Sequence, residues 1–151
     1  MHMIRIKRIL CPTDFGEYAK HALQYACSLT EKYSAELHLL HVLPDPAMTI
    51  ATYGPIAGYL PENWSDNITE HAGKELEKIP NRKWAAAHKV VRATAQGVTF
   101  AEIIEYAKRN QIDLLVIGTG TVLDHALMGS VAEKIVRKSP CPVMLIHPKD
   151  H

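Results

Sequence analysis

The sequence predicts an α/β protein: a doubly wound, five-stranded parallel sheet with helices on both faces. Short apolar, β-rich runs alternate with helical periods in a regular order along the chain, which is the pattern of stacked βα units. The run Leu114-Leu115-Val116-Ile117 is apolar at every position, as a central parallel strand covered on both faces requires. The length of 151 residues, with no internal repeat and no low-complexity tail, fits one domain spanning 1–151.

The elements follow in order. Ile6 to Cys11 reads as the first strand. A helix from Gly16 to Tyr33 places Ala19, Ala22, Leu23, Ala26 and Leu29 on one face. Ala35 to Leu43 is the second strand. Pro44, Pro46, Pro55 and Pro61, with Gly54 and Gly58, then argue against regular structure until Glu62 and make this segment a long loop. A second helix over Glu62 to Ile79 has a thin apolar face, weakened by Gly73. Lys89 to Ala93 is the third strand, and Thr99 to Asn110 a helix opened by Thr99-x-x-Glu102 in the manner of a capping box. Asp113 to Ile117 is the fourth strand. The last helix runs from Ser130 to Lys138, stopping before Pro140, and Val143 to Ile146 is the fifth strand.

Composition excludes several functions. Seventeen Lys and Arg against sixteen Asp and Glu leave a formal charge of +1, and no basic run could neutralise a row of phosphates, so nucleic acid is not an expected partner. Charges interrupt the opening residues from Met1 to Leu10, which therefore do not form a signal-peptide core, and no stretch reaches membrane-spanning length. A cytoplasmic location follows as the expectation, with no membrane partner. Cys11, Cys27 and Cys141 lack CxxC spacing and are expected to be reduced and partly buried. His38 and His41 lie three apart in a strand and point to opposite faces, so no metal site is expected there.

Ligands of open parallel sheets bind beyond the carboxyl ends of the strands, where the strand order reverses. Those ends carry Cys11-Pro12-Thr13-Asp14-Phe15, His41-Val42-Leu43-Pro44 and Gly118-Thr119-Gly120-Thr121, with Gly129-Ser130 opening the last helix. A glycine-rich turn beside the free N–H groups of a helix start is a generic anion site. The sequence contains no GxxxxGK[ST], no GxGxxG after the first strand and no GxSxG elbow. The three cysteines have no His partner fixed by sequence, so nucleophilic catalysis finds no support, and no catalytic residue is assigned.

Across nearly its whole length the chain resembles the universal stress proteins. The resemblance rests on Ile9-Leu10-Cys11-Pro12-Thr13-Asp14-Phe15, on Leu39-Leu40-His41-Val42, on Asp113-Leu114-Leu115-Val116-Ile117-Gly118-Thr119, and on Gly129-Ser130-Val131-Ala132-Glu133-Lys134-Ile135-Val136-Arg137 leading to Pro140-Cys141-Pro142-Val143. It implies a sheet ordered 3-2-1-4-5 and a homodimer formed through the fifth strand, Val143, Met144, Leu145 and Ile146. In one subgroup it also implies ATP, with or without Mg, between strands one and four. Carried over, the cofactor-binding residues are Pro12, Thr13, Asp14 at the ribose, Val42 at adenine, and Gly118, Thr119, Gly120, Gly129, Ser130 and Val131 at the phosphates. The implied function is that of an ATP-binding, dimeric stress regulator; a nucleotide-free protein-interaction module of the same fold is the alternative. A purely structural role also fits two of these motifs, because Asp14-x-x-Glu17 and Ser130-x-x-Glu133 both match a capping box.

One departure bears on the phosphates. ATP-binding members carry G-x2-G-x9-G-[ST], whereas here the third position after Gly118 is Thr121 and Gly129 comes two residues early. Two residues span about 7 Å of extended chain. Either the loop is two residues short, or one residue is lacking after Thr119 and one after Gly120, which would leave a broken chain between Thr119 and Thr121.

Overall fold

The computed structural model describes residues 2–47, 54, 61–120 and 128–147. Its elements are β1 (Arg8–Pro12), α1 (Glu17–Tyr33), β2 (Glu36–Leu43), α2 (Trp64–Glu77), α3 (Arg82–Ala86), β3 (Lys89–Gln96), α4 (Thr99–Arg109), β4 (Leu114–Gly118), α5 (Ser130–Lys138) and β5 (Val143–Ile146). All strands pair in parallel, in the order β3-β2-β1-β4-β5.

Side-chain alternation sorts the apolar residues into two cores. Ile9, Cys11, Leu37, Leu39, Leu114 and Val116 face α1 and α2, meeting Ala22, Ala26 and Leu76. Leu10, Leu40, Leu115 and Ile117 face the other way, onto Ile103 and Ala107 of α4 and Ala132 and Ile135 of α5. Each central strand feeds both cores, which is why its sequence has no polar face. In α1 the buried residues are Ala19, Ala22, Ala26 and Thr30, with Leu23 and Leu29 packed at the margin. Small side chains let this helix lie close to the sheet.

Some element bounds differ from expectation. β1 begins at Arg8 and runs through Pro12. β3 extends to Gln96, because Ala93 to Gln96 pair with Leu40 to Leu43, and this pairing outweighs the weak strand preference of Ala and Gln. The helix α3 was not expected: at five residues it is too short to show a period, and it starts where Asn81 Oδ1 accepts from the Lys83 N–H at 2.9 Å. After Pro44 the chain is helical at Pro46 and Ala47, where Asp45 Oδ1 accepts from the Ala47 N–H at 2.8 Å. Most of the expected loop up to Pro61 lies outside the described residues. The thin face of α2 buries only Ala72 and Leu76.

The two histidines of β2 do point apart. His41 meets Phe15 beside α1, whereas His38 is buried against Tyr106 of α4. His38 Nε2 donates to Glu36 Oε1 at 2.7 Å, so its Nδ1 can accept from the Tyr106 hydroxyl, also at 2.7 Å. Glu36 Oε2 accepts from Lys89 Nζ at 2.7 Å. Burial holds the His38 pKa below the ordinary histidine value, aided by the charges of Arg8 and Lys89 and opposed by Glu36. The Lys89 hydrogen bond, with His38 behind it, holds Glu36 below the ordinary carboxyl value. Both depressed values act with the same sign. Stability is fully present above each group's unfolded value and is lost as pH falls through the folded one. Urea unfolding is therefore expected to weaken from about pH 6.5 downward for His38 and further below the carboxyl range for Glu36. His38→Gln should flatten the upper part of this dependence; a wild-type midpoint constant from pH 7 to pH 5 would contradict it.

Candidate functional site

The site begins with a parting of strands. β1 pairs with β2 from Arg8 to Pro12, and the Thr13 N–H continues that pairing to Leu40 O at 2.8 Å. On its other side β1 pairs with β4 only at Ile9↔Leu114 and Leu10↔Leu115. Beyond those pairs the carboxyl ends of β1 and β4 bound a cleft of about 880 Å³, ample for a small ligand. This is the point where the order reverses.

The turn after β1 shapes one wall. Asp14 Oδ1 accepts from the Gly16 N–H at 2.8 Å and Thr13 Oγ1 from the Phe15 N–H at 3.0 Å, while Phe15 takes a left-handed φ of 65°. That conformation costs a bulky residue about 1 kcal/mol or more, and the side-chain bonds together with the packing of Phe15 on His41, centroids 4.7 Å apart, hold it. His41 Nδ1 lies 2.7 Å from Thr13 O; a carbonyl only accepts, so Nδ1 carries the proton. Asp14 stays exposed and lines the cleft.

The opposite wall comes from β4 and α5. A Cβ on Gly118 would come within 2.8 Å of Tyr18 O, and one on Gly129 within 2.9 Å of Thr119 O. Both glycines are thus demanded by close backbone approach, and the Gly129 N–H donates to Thr119 O at 2.7 Å. Gly129 is the N-cap of α5, no side chain caps the helix, and Ser130 is its first residue. The free first-turn amides and the hydroxyl of Ser130 therefore face the cleft side with a positive dipole end.

The expected capping boxes do not form. The N-caps are Gly16 for α1, Val98 for α4 and Gly129 for α5, each without a side-chain bond. Asp14 instead folds back on the turn before its helix, and Thr99 and Ser130 sit one residue too late to cap. The capping role offered for Ser130-x-x-Glu133 is thereby removed.

Pro12, Thr13, Asp14, Val42, Gly118, Gly120, Gly129, Ser130 and Val131 all line this one cleft. Thr119 does not: it is 1% exposed, and its Oγ1 is buried without a partner among the described residues. Leu40, Val42, Ile103, Ile117, Ala132 and Ile135 give the cleft an apolar lining, while Glu17, Tyr18 and His21 of α1 and His41 of β2 add polar groups that motif spacing does not reveal. Residues 121–127, and with them the junction between Gly120 and Thr121, lie outside the described residues. Cysteine chemistry has no place here. Burial pushes the Cys11 thiol up to about 12 and the Cys27 thiol up to about 11, and burial also raises that of Cys141, so none is a ready thiolate at neutral pH.

Comparison with known proteins agrees with the architecture. The model of the universal stress protein family matches residues 5–147. The chain belongs to the universal stress protein family. Universal stress protein YxiE of Bacillus subtilis is 32% identical over 145 residues, which cover 92% of this chain and 97% of that protein. The structure of universal stress protein MJ0577 of Methanocaldococcus jannaschii aligns with a TM-score of 0.79 at 28% identity, over 98% of this chain and 100% of that one. A universal stress protein of Archaeoglobus fulgidus in complex with dAMP aligns with a TM-score of 0.63, over 95% of this chain and 99% of that one. At 18% identity this last likeness is one of fold. Among the described residues no helix is long and apolar enough to cross a membrane.

Proposed function

We propose that this universal stress protein binds an adenine nucleotide, ATP with or without Mg, in the cleft between β1 and β4, and acts in the cytoplasm as a single-domain, dimeric stress regulator. The observation that carries this is the uncapped N-terminus of α5, which with Ser130 borders a cleft that also has a broad apolar lining. The parts suit the parts of the ligand. Leu40, Ile103, Ile117 and Val42 offer an apolar slot and a strand-end backbone for adenine. Asp14 Oδ2 accepts from ribose hydroxyls. Gly118, Gly120, Gly129, Ser130 and Val131 surround the phosphates with main-chain amides and one hydroxyl. No cluster of three or more His, Cys, Asp or Glu that could hold a metal occurs among the described residues, so Mg would be carried by the phosphates themselves. The dAMP complex of the Archaeoglobus fulgidus protein supports this architecture as one that can take an adenine nucleotide. Calorimetric titration with ATP and Mg is expected to saturate at one nucleotide per chain. Absence of binding at millimolar ATP would sink the proposal.

The dimer would form along β5. This strand ends the sheet order, and Val143, Met144 and Leu145 remain half-buried on an unpaired edge, a surface that invites a second strand. Sedimentation at tens of micromolar protein should show a dimer, and Leu145→Lys should shift it to monomer; a wild-type monomer would refute this surface. The two-residue shortening between Gly118 and Gly129 supports a second reading, in which the phosphate cradle is vestigial and the fold serves as a nucleotide-free interaction module.

A further inference from the structure

Of the polar groups that line the cleft, His21 has a buried atom without a partner. His21 lies on the second turn of α1 and lines the cleft with Tyr18, Gly118 and Gly120. Its Nε2 is shut off from solvent and has no hydrogen-bond partner among the described residues. Buried side-chain polar atoms are nearly always paired, and a desolvated orphan costs roughly 1–3 kcal/mol. Nothing in the packing of α1 compensates for this one. The neighbouring contact of the ring is the edge of Tyr25, one turn further on, with centroids 5.5 Å apart, and it leaves Nε2 unpaired.

The position of His21 along the cleft selects the ligand group. Positions three apart on a helix share a face, so His21 follows Tyr18. The main chain of Tyr18 is what Gly118 abuts: a Cβ there would come within 2.8 Å of Tyr18 O. Hence His21 stands on the β4 side of α1, the side of Gly118, Gly120 and the N-terminus of α5, away from Val42 on β2 and beyond Asp14 on β1. That is the phosphate end. The same end is where the interval from Gly118 to Gly129 is two residues shorter than the spacing of ATP-binding members.

We propose that His21 is a phosphate-binding residue of this chain, its Nε2–H donating to the phosphates of a bound adenosine di- or triphosphate. The proposal rests on the nucleotide reading above. A turn of the imidazole toward the cleft it already lines exposes Nε2 to a phosphate oxygen, and binding then satisfies an atom that the free protein leaves orphaned. A donor that is already dehydrated gains more from an anion than an exposed one does.

The test compares wild type, His21→Leu and His21→Gln, titrated with adenosine, AMP, ADP, ATP and inorganic tripolyphosphate. Because Nε2 makes no bond in the free protein, neither variant should lower Tm without ligand, and His21→Leu should hold or raise it. His21→Leu is expected to weaken ADP, ATP and tripolyphosphate by about tenfold or more, the scale of a hydrogen bond to a charged group, while leaving adenosine unchanged. His21→Gln, which keeps an N–H near the same place, should recover most of the loss. An equal loss for adenosine and ATP, or no loss for any phosphate compound, overturns the proposal. If wild type binds tripolyphosphate through His21 but not ATP, the nucleotide reading alone falls; if it binds neither, both fall.

Discussion

Replacing Gly118 by alanine is expected to destabilise the protein by about 1–3 kcal/mol, the usual cost of forcing atoms into a packed region. At roughly 2–4 °C of Tm per kcal/mol for a chain of this size, the loss is easily measured. The new methyl would stand 2.8 Å from Tyr18 O, 3.0 Å from Tyr18 Cβ and 3.1 Å from Tyr18 C. Two of these atoms are main chain and cannot swing aside. Relief requires α1 to retreat from β4, and α1 also carries Tyr18 and His21 into the cleft, so ligand response should fall with stability. Gly73→Ala supplies the contrast. Gly73 lies inside α2, and its added methyl would meet nothing within 4 Å, so the substitution should stabilise by about 0.4–1 kcal/mol through the unfolded chain. The same chemical change thus has opposite signs at two places. A Gly118→Ala protein that melts with wild type would mean that close packing is not what keeps this position glycine.

The sheet was legible because its determinants are local. The fully apolar run at Leu114 to Ile117 and the small-residue stripe of α1 each state a burial pattern that the fold simply realises, as the two cores at Leu10 and Leu39 display. Helix termini were harder to read. A capping motif is satisfied by any S/T/D-x-x-E spacing, but whether it closes depends on the backbone one residue earlier. At all three starts a different residue occupies the N-cap. For Ser130 this changes the chemistry, since a hydroxyl spent on its own helix could not serve a ligand. The site motifs were legible as strand ends, because topology alone gathers them. His21 and Tyr18 carry no motif, and their place in the cleft comes from the angle at which α1 crosses β4, a tertiary property. Thr119 shows the converse: it stands inside the motif, yet packing buries it to 1% exposure.

ATP at a hundred times its dissociation constant should stabilise the native state by about 2.7 kcal/mol, a rise in Tm of roughly 5–10 °C on the same scale. Asp14 is the residue that tests the adenosine half of the site, but it has two roles to separate. Its Oδ1 holds the Gly16 N–H at 2.8 Å, a bond that shapes the turn with or without nucleotide. Its Oδ2 is the group assigned to the ribose. Asp14→Ala removes both and should lower Tm in the absence of ligand as well. Asp14→Asn keeps an oxygen for Gly16 and loses the charge, so the free protein should melt close to wild type. A hydrogen bond to a charged group is worth about 1.5–3 kcal/mol, so losing it raises the dissociation constant roughly ten- to a hundredfold. At unchanged ATP the stabilisation then drops to about 0.4–1.4 kcal/mol, and the thermal shift shrinks to a few degrees or less. Equal shifts in wild type and Asp14→Asn would remove Asp14 from the ligand. No shift in wild type at millimolar ATP with Mg would leave the interaction module as the reading that the shortened loop supports.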